Sequence, residues 1–332
     1  CMNCERVCPA NVNYEKIIDA GRAVTYKQDS LLSLFQQSTL LFALSNTSAR
    51  KFFKSCIYIF RKLGLNRLLS KTRLFSLLPE PNNTLAKISA CKTDGPTIAI
   101  INSCAGDLVC DETLTAATLI LSKLGCSIVE QKQTLCCGAL HQHSGDLKTA
   151  KKLRQYFIHS INQQNPDYLV SLATGCGAQI KRYSELNDDS AEQLSKKIFD
   201  INEFVLQQIS KTSLNFRPLA KRVYLHKPCS QAQVIKDATV IEKLLNNIPE
   251  IELVTFEDKL ACCGAGGINT LVQSELAKHL IEDKVLELKN TTANFLVSSN
   301  IGCALHFQAQ LKSENTHVQV CHPITLLAQQ MV

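Results

Sequence analysis

Two sets of cysteines with matching spacing divide most of this chain into two similar units. Cys104, Cys136, Cys137 and Cys176 are separated by 31, 0 and 38 residues, and Cys229, Cys262, Cys263 and Cys303 by 32, 0 and 39. Such agreement across three gaps marks a duplicated unit rather than scattered thiols. The residues between them repeat too: "TIAIINSC", "CCGALHQHSGD" and "DYLVSLATGCGAQI" are answered by "RVYLHKPC", "CCGAGGINT" and "NFLVSSNIGCALHF". Each unit predicts an apolar β-branched strand, a helix, a second strand, a helix and a third strand. That is the pattern of an α/β fold with a parallel sheet flanked by helices. Ligand sites of such sheets lie beyond the carboxyl ends of the strands, where Cys104, Cys176, Cys229 and Cys303 fall. Four thiolates then converge at one edge of each unit.

Sixteen cysteines in 332 residues admit disulfides or metal, and the adjacent Cys-Cys pairs favour metal. A [4Fe-4S] cluster takes four cysteine thiolates and needs small residues beside it, whose N–H groups can face its sulfides. Gly138, Gly175 and Gly177 supply these in the first unit, and Gly264, Gly266, Gly267 and Gly302 in the second. A closed zinc site also takes four thiolates, but adjacent cysteine ligands are unusual there, so the cluster is the favoured expectation and zinc the rival. The "GAGG" at 264–267 lacks the GxGxxG order and a following GK[ST], so no phosphate loop is expected.

The chain begins "CMNCERVCP", placing Cys1, Cys4 and Cys8 as Cys-x2-Cys-x3-Cys-Pro. This is the tail of the bacterial ferredoxin run, in which three close thiolates bind one [4Fe-4S] cluster and the fourth reaches a second. The leading cysteine of that run would stand upstream of Cys1. The sequence therefore reads as a piece of a longer chain, with roughly 30 to 50 residues of a doubled module preceding it.

The net charge of +7 has a local source: residues 30–79 hold eight Lys/Arg and no Asp or Glu. A basic surface confined to one segment argues against a nucleic-acid partner. The stretch "SARKFFKSCIYIFRKLGLNRLLSKTRLFSLLPEP" predicts two basic amphipathic helices ended by Pro79 and Pro81. Two readings stay open for them: a connector packed on the body of the protein, or a docking surface for an anionic membrane or an acidic partner. No run reaches the ~18 uninterrupted apolar residues of a transmembrane helix. The expected organisation is the end of a ferredoxin-like two-cluster module at 1–22, a helical basic connector at 23–94, and cysteine units at 95–215 and 216–332.

The ferredoxin tail, the helix "IIDAGRAV" and the paired motifs "CCGALHQHSGD", "ATGCGAQIK", "CCGAGG" and "SNIGCALH" together resemble the CCG cysteine-rich proteins related to heterodisulfide reductase, and most of all the iron-sulfur subunits of bacterial glycolate oxidases. The resemblance covers nearly the whole chain and is weakest over 30–90. It implies an electron-transfer subunit beside flavin-containing subunits that oxidise glycolate to glyoxylate, with FAD on the partner and not on this chain. It also implies a cytoplasmic setting, with a peripheral contact on the inner membrane face and its quinone side. Cys1 and Cys4 match ligands of one ferredoxin-type cluster and Cys8 the ligand crossing to the other. One departure stands out: the longest form of the CCG motif ends in CxxC, whereas Cys176 and Cys303 stand alone. Four thiolates per unit put a cluster with a fifth ligand in doubt.

Among the other candidates, Cys110 is either a spare ligand or a core residue at a helix start. Cys56, Cys91, Cys126 and Cys321 lack counterparts and are expected as small apolar residues. His141, His143 and His226 lie near the thiols in sequence and are candidate hydrogen-bond partners of a cluster, against the plainer reading of polar loop or core histidines. Two function classes follow: an electron-transfer subunit of a glycolate oxidase, with lactate or glycerol 3-phosphate dehydrogenases as variants, or a catalytic heterodisulfide or quinone reductase. The first is preferred because neither a Ser/His/Asp set nor a flavin-binding fingerprint appears.

Overall fold

A computed structural model describes residues 4–5, 8–10, 12–28, 31–63, 93–109, 111–131, 133–186, 188–212, 214–231, 235, 237–257 and 262–332. Three helices lead: α1 (Tyr14–Gln28), α2 (Leu31–Ser45) and α3 (Thr47–Lys62). The first unit follows as β1 (Thr97–Ile101), α4 (Cys104–Val109), α5 (Asp111–Lys123), β2 (Ser127–Ile128), α6 (Ala139–His143), α7 (Leu147–Gln164), β3 (Tyr168–Ser171), α8 (Thr174–Lys181), α9 (Asp189–Lys197), β4 (Ile198–Asp200) and α10 (Ile201–Ile209). The second runs β5 (Arg222–His226), α11 (Val240–Leu245), β6 (Glu252–Thr255), α12 (Asn269–Val272), α13 (Ser274–Lys289), β7 (Phe295–Ser298), α14 (Ile301–Ser313), β8 (Gln319–Cys321) and α15 (Pro323–Gln330). No described helix is long and apolar enough to cross a membrane.

Each unit forms a four-stranded sheet, in the orders β2-β1-β3-β4 and β6-β5-β7-β8, with every pairing parallel. The sequence predicts three strands per unit; β4 and β8 are the additions. Both are three residues long and run straight into a helix, too short to show a period of their own. Chain direction across each sheet reverses between β1 and β3 and between β5 and β7, which opens a crevice beyond their carboxyl ends.

The central strands β1, β3, β5 and β7 bury both faces, as parallel sheets do. Ile98, Ile100, Val223 and Leu225 turn inward to one core shared by the two units, where α5 packs against α15 and α10 against α11. Ala99 and Ile101 face an outer core with Phe157, Ile161 and Leu194, while Tyr224 faces the corresponding core with Ile281, Leu288 and Phe307.

The last strands end on corresponding N-caps. Asp200 accepts from the Asn202 N–H at 2.8 Å, and His322 Nδ1 accepts from the Ile324 N–H at 3.2 Å. Asp200 is fully buried, its Oδ2 without a partner, and burial pushes its carboxyl up to about 6. A carboxyl raised on folding contributes full stability below its unfolded value near 4 and loses it as pH rises through about 6. Ionisation at pH 7.5 then costs about 3 kcal/mol. Asp200→Asn keeps a cap acceptor without the charge. In urea unfolding of the cluster-free chain it should be more stable than wild type at pH 7.5 by about 2 to 3 kcal/mol, with the gap closing below pH ~4. Equal stability at both pH values would show that Asp200 is not ionised at a cost.

α1 docks on the first unit through charge. Arg182 donates to Glu15 at 2.6 Å and to Asp19 at 3.3 Å, and Gln142 donates to Asp19 at 2.8 Å. A side chain at Gly145, whose φ is 89°, would collide with the Arg22 carbonyl, so glycine there permits the close approach.

Two of the basic side chains turn inward and others stay in solvent. Arg50 and Lys54 pack inward as a connector would, onto Asp107 of α4. On the outer side of α3 and just past its end, Phe52, Tyr58 and Leu63 are about two-thirds exposed beside exposed Lys51 and Lys62. The second expected basic helix, up to Pro79 and Pro81, lies outside the described residues, as do Cys1, Cys91 and Cys110.

Candidate metal centres

The two crevices gather the cysteines that spacing paired. In the first unit β1 delivers Cys104 to the start of α4, β3 delivers Cys176 to α8, and the loop before α6 carries Cys136 and Cys137. The Cys104 thiol bonds to Cys136 and the Cys176 thiol to Cys137, and all four lie within one another's fields. In the second unit Cys229 bonds to Cys262, and the sulfurs of Cys263 and Cys303 are 2.9 Å apart. Cys104, Cys136, Cys137, Cys263 and Cys303 are buried, Cys176 and Cys262 half-buried, and Cys229 is exposed.

The thiols are poised unequally. Hydrogen bonding from Cys104, helped by the Gly138 N–H and the Arg50 guanidinium, holds Cys136 down at about 7. Bonds from Cys229 and Cys263 likewise hold Cys262 far below an ordinary thiol. The thiols that donate shift the other way: Cys104, Cys229 and Cys263, and likewise Cys176 with its partner Cys137, are raised, each by its thiol partner first and by burial as well. Each site thus holds thiolate character against buried thiols, the state from which soft metals are bound with loss of the remaining protons.

Glycine after each pair has two causes. Gly138 and Gly264 take φ of 79° and 76°, in the left-handed region. A Cβ there would meet the carbonyl oxygen of Ala150 at 3.0 Å or of Ala277 at 2.5 Å, on the long helix that follows. The turn also aims the Gly264 N–H at Cys262 sulfur, 3.3 Å away. Buried thiols, backbone donors and small residues together suit an iron-sulfur group.

Two further side chains hold the Cys-Cys turns in place. Tyr183 donates its hydroxyl to the Cys137 carbonyl at 2.8 Å, and His306 Nδ1 donates to the Cys263 carbonyl at 2.7 Å. Both follow the last cysteine of their unit, by seven and three residues, and the mismatch hid their shared role from sequence comparison.

Of the three histidines singled out, only His226 joins the thiols. A ring nitrogen of His226 and the sulfurs of Cys263 and Cys303 lie within 4.8 Å of one another, and burial pushes this imidazole down to about 3. His141 is paired with Asp146 at 3.0 Å, and His143 lies 3.8 Å from Asp19. Of the bystanders, Cys126 is buried in the shared core, and Cys56 and Cys321 are half-buried. At the front, Cys4 is exposed and Cys8 half-buried, with the Tyr14 hydroxyl bonded to Cys8.

The two sites meet across the seam between the units. The Thr174 N–H donates to the Ser299 carbonyl at 3.1 Å, and Asn300 Nδ2 donates to Ser230 at 3.0 Å and to Thr174 at 3.3 Å. All of these residues stand within four positions of Cys176, Cys229 or Cys303.

Comparison with known proteins agrees with this construction. A "Probable glycolate oxidase iron-sulfur subunit" of Bacillus subtilis is 25% identical, covering 95% of this chain and 77% of that protein. A "Lactate utilization protein A" of Oceanobacillus iheyensis is 26% identical over 69% of this chain and 96% of its own. An "Uncharacterized protein YkgE" of Escherichia coli is 27% identical over 66% and 94%. The family profile described as CCG, cysteine-rich domain, matches residues 98–181 and again 223–308, together just over half of the chain. The chain belongs to the CCG family of cysteine-rich domain proteins and carries that domain twice.

Proposed function

We propose that this chain is the iron-sulfur electron-transfer subunit of a flavin-dependent 2-hydroxy acid oxidase, of the type that converts glycolate to glyoxylate. The observation that carries this reading is the pair of four-thiol sets, matched in spacing and gathered at the crevices of two matched sheets. The names of the Bacillus subtilis and Oceanobacillus iheyensis relatives support it, with lactate the alternative substrate of the complex.

Cys104, Cys136, Cys137 and Cys176 would hold one [4Fe-4S] cluster, and Cys229, Cys262, Cys263 and Cys303 another. Cys1, Cys4 and Cys8 would serve ferredoxin-type clusters together with upstream residues. Bound clusters of this kind accept and release single electrons. The chain's own residues exclude water by burial, orient N–H groups such as that of Gly264, and fix the Cys-Cys turns through Tyr183 and His306. The substrate site and its FAD belong, on this reading, to partner subunits. The exposed Cys229 favours one second reading, a reductase whose second site meets a disulfide or quinone directly.

Iron content tests the proposal. Anaerobic reconstitution of the chain with iron and sulfide should load roughly four irons on each cysteine set. Cys104→Ser with Cys176→Ser should remove about half of that iron. Zinc in both sites, with no visible absorption from iron, would refute it.

A further inference from the structure

The two sites share one frame but differ at one strand end, where the second unit has an imidazole. Ile101 and His226 occupy the same register position, opposite Ser171 and Ser298, three residues before Cys104 and Cys229. In the first unit the Ser171 hydroxyl donates to the Ala173 carbonyl at 2.8 Å and accepts from the Ala173 N–H at 3.3 Å. In the second, the matching Asn300 N–H still donates to Ser298 Oγ at 3.5 Å, but the serine now lies 3.0 Å from His226 Nδ1. The serine can accept from Asn300 and at the same time give its own proton to Nδ1, the arrangement taken here for the pair. The proton of the neutral ring then sits on Nε2.

Packing holds the ring in that pose. His226 is 4% exposed, with Phe307 and Phe256 edge-on at centroid distances of 4.9 and 6.4 Å. A His226 nitrogen shares the 4.8 Å group with the Cys263 and Cys303 sulfurs, and Nε2 is the one that Ser298 leaves available. Among the described residues, this is the one group of three or more His, Cys, Asp or Glu ligand atoms so close together. Ile101 in the first unit offers no donor at all.

We propose that His226 donates its Nε2–H to sulfur at the second site, and so raises the reduction potential of the group held there above what its four thiolates alone would give. The proposal rests on the cluster reading stated above. An N–H donor stabilises the more electron-rich, reduced state of a cluster by drawing charge from its sulfurs. At otherwise unchanged thiolates, the imidazole would set the second site at a higher potential than that site would have without it. His226 acts as a positioned donor, and its mutation changes potential without changing the number of thiolate ligands.

The test is a redox titration of the full chain, reconstituted with iron and sulfide and followed by electron paramagnetic resonance. His226→Phe should move the second-site midpoint to lower potential and leave the first-site midpoint in place as an internal reference. His226→Gln, which keeps an N–H donor, should stay near wild type. Ser298→Ala, which frees the tautomer, should fall between. The proposal is overturned if His226→Phe loads both sites and the second midpoint stays or rises. It is equally overturned if nitrogen hyperfine coupling shows His226 bound to iron. Should His226→Phe fail to fold, Ser298→Ala decides: a lowered second midpoint supports the proposal and an unchanged one overturns it. Wild-type chain that takes up no iron overturns the cluster reading itself, so the two failures are distinguishable.

Discussion

Serine in place of Cys137 or Cys263 should leave the assembled oxidase able to reduce an artificial acceptor that takes electrons directly from flavin, while transfer to the natural acceptor collapses. Both cysteines are buried, and each is bonded to the last cysteine of its set. Serine presents a harder oxygen where the site needs soft donors. Loss of an outer partner alone commonly costs 10- to 100-fold in metal affinity, and loss of a direct ligand should cost at least about that much. On the electron-transfer reading, flavin reduction by substrate needs no cluster, but onward transfer does. The control is Cys126→Ser, which buries a hydroxyl in the shared core and should change stability by about 1 to 3 kcal/mol without touching the acceptor ratio. If flavin-level turnover disappears in Cys263→Ser while the complex still assembles, the second site takes part in substrate chemistry. The reductase reading, with its exposed Cys229, then replaces electron transfer.

The gathering of the cysteines into two sets was legible in the sequence, for a physical reason. Thiols placed at strand ends cannot drift relative to their sheet, so the gaps of 31 and 32 and of 38 and 39 residues recorded the fold directly. The apolar strands "TIAII" and "FLVS" likewise announced themselves because both faces are buried. What stayed hidden was set by contacts between distant segments. β4 and β8 exist because β3 and β7 offer them an edge, and Ile198-Phe199-Asp200 has no pattern apart from that edge. Tyr183 and His306 reach the same carbonyl of their respective turns from different helical positions, so aligning the two units would not pair them. His226 was noticed for its nearness to Cys229, but its sulfur neighbours are Cys263 and Cys303, brought in by other loops.

Arg50 is the plainest case of a role that charge pattern concealed, and it carries the second large effect. In sequence it is one of eight basic residues in a segment without acids, yet it is 1% exposed. Its guanidinium donates through Nε to Asp107 at 2.9 Å, through Nη1 to the Leu44 carbonyl at 2.6 Å, and through Nη2 to the Thr134 carbonyl at 2.8 Å. Asp107 lies in the helix that Cys104 begins, and Thr134 stands two residues before Cys136. One side chain therefore ties α3 to two of the three segments that carry the first set of thiols. Arg50→Met would strand a carboxylate and two carbonyls, and removing one partner of a buried ion pair costs about 3 to 5 kcal/mol. Asp107 keeps a 29% exposed side chain, which places the expected loss near the lower end of that range. Arg50→Lys keeps the charge but reaches fewer acceptors at once, so it should fall between. Lys51→Met, one residue on and exposed, should stay within about 0.5 kcal/mol of wild type. The signature that separates a clamp from a general stabiliser is where the iron goes. Arg50→Met should lose iron from the first set of thiols in preference to the second, seen as loss of one of two reduced signals after mild chelation. Equal loss from both sites, or a stability no different from Lys51→Met, would show that α3 is held on by its apolar contacts and that the guanidinium only fills space.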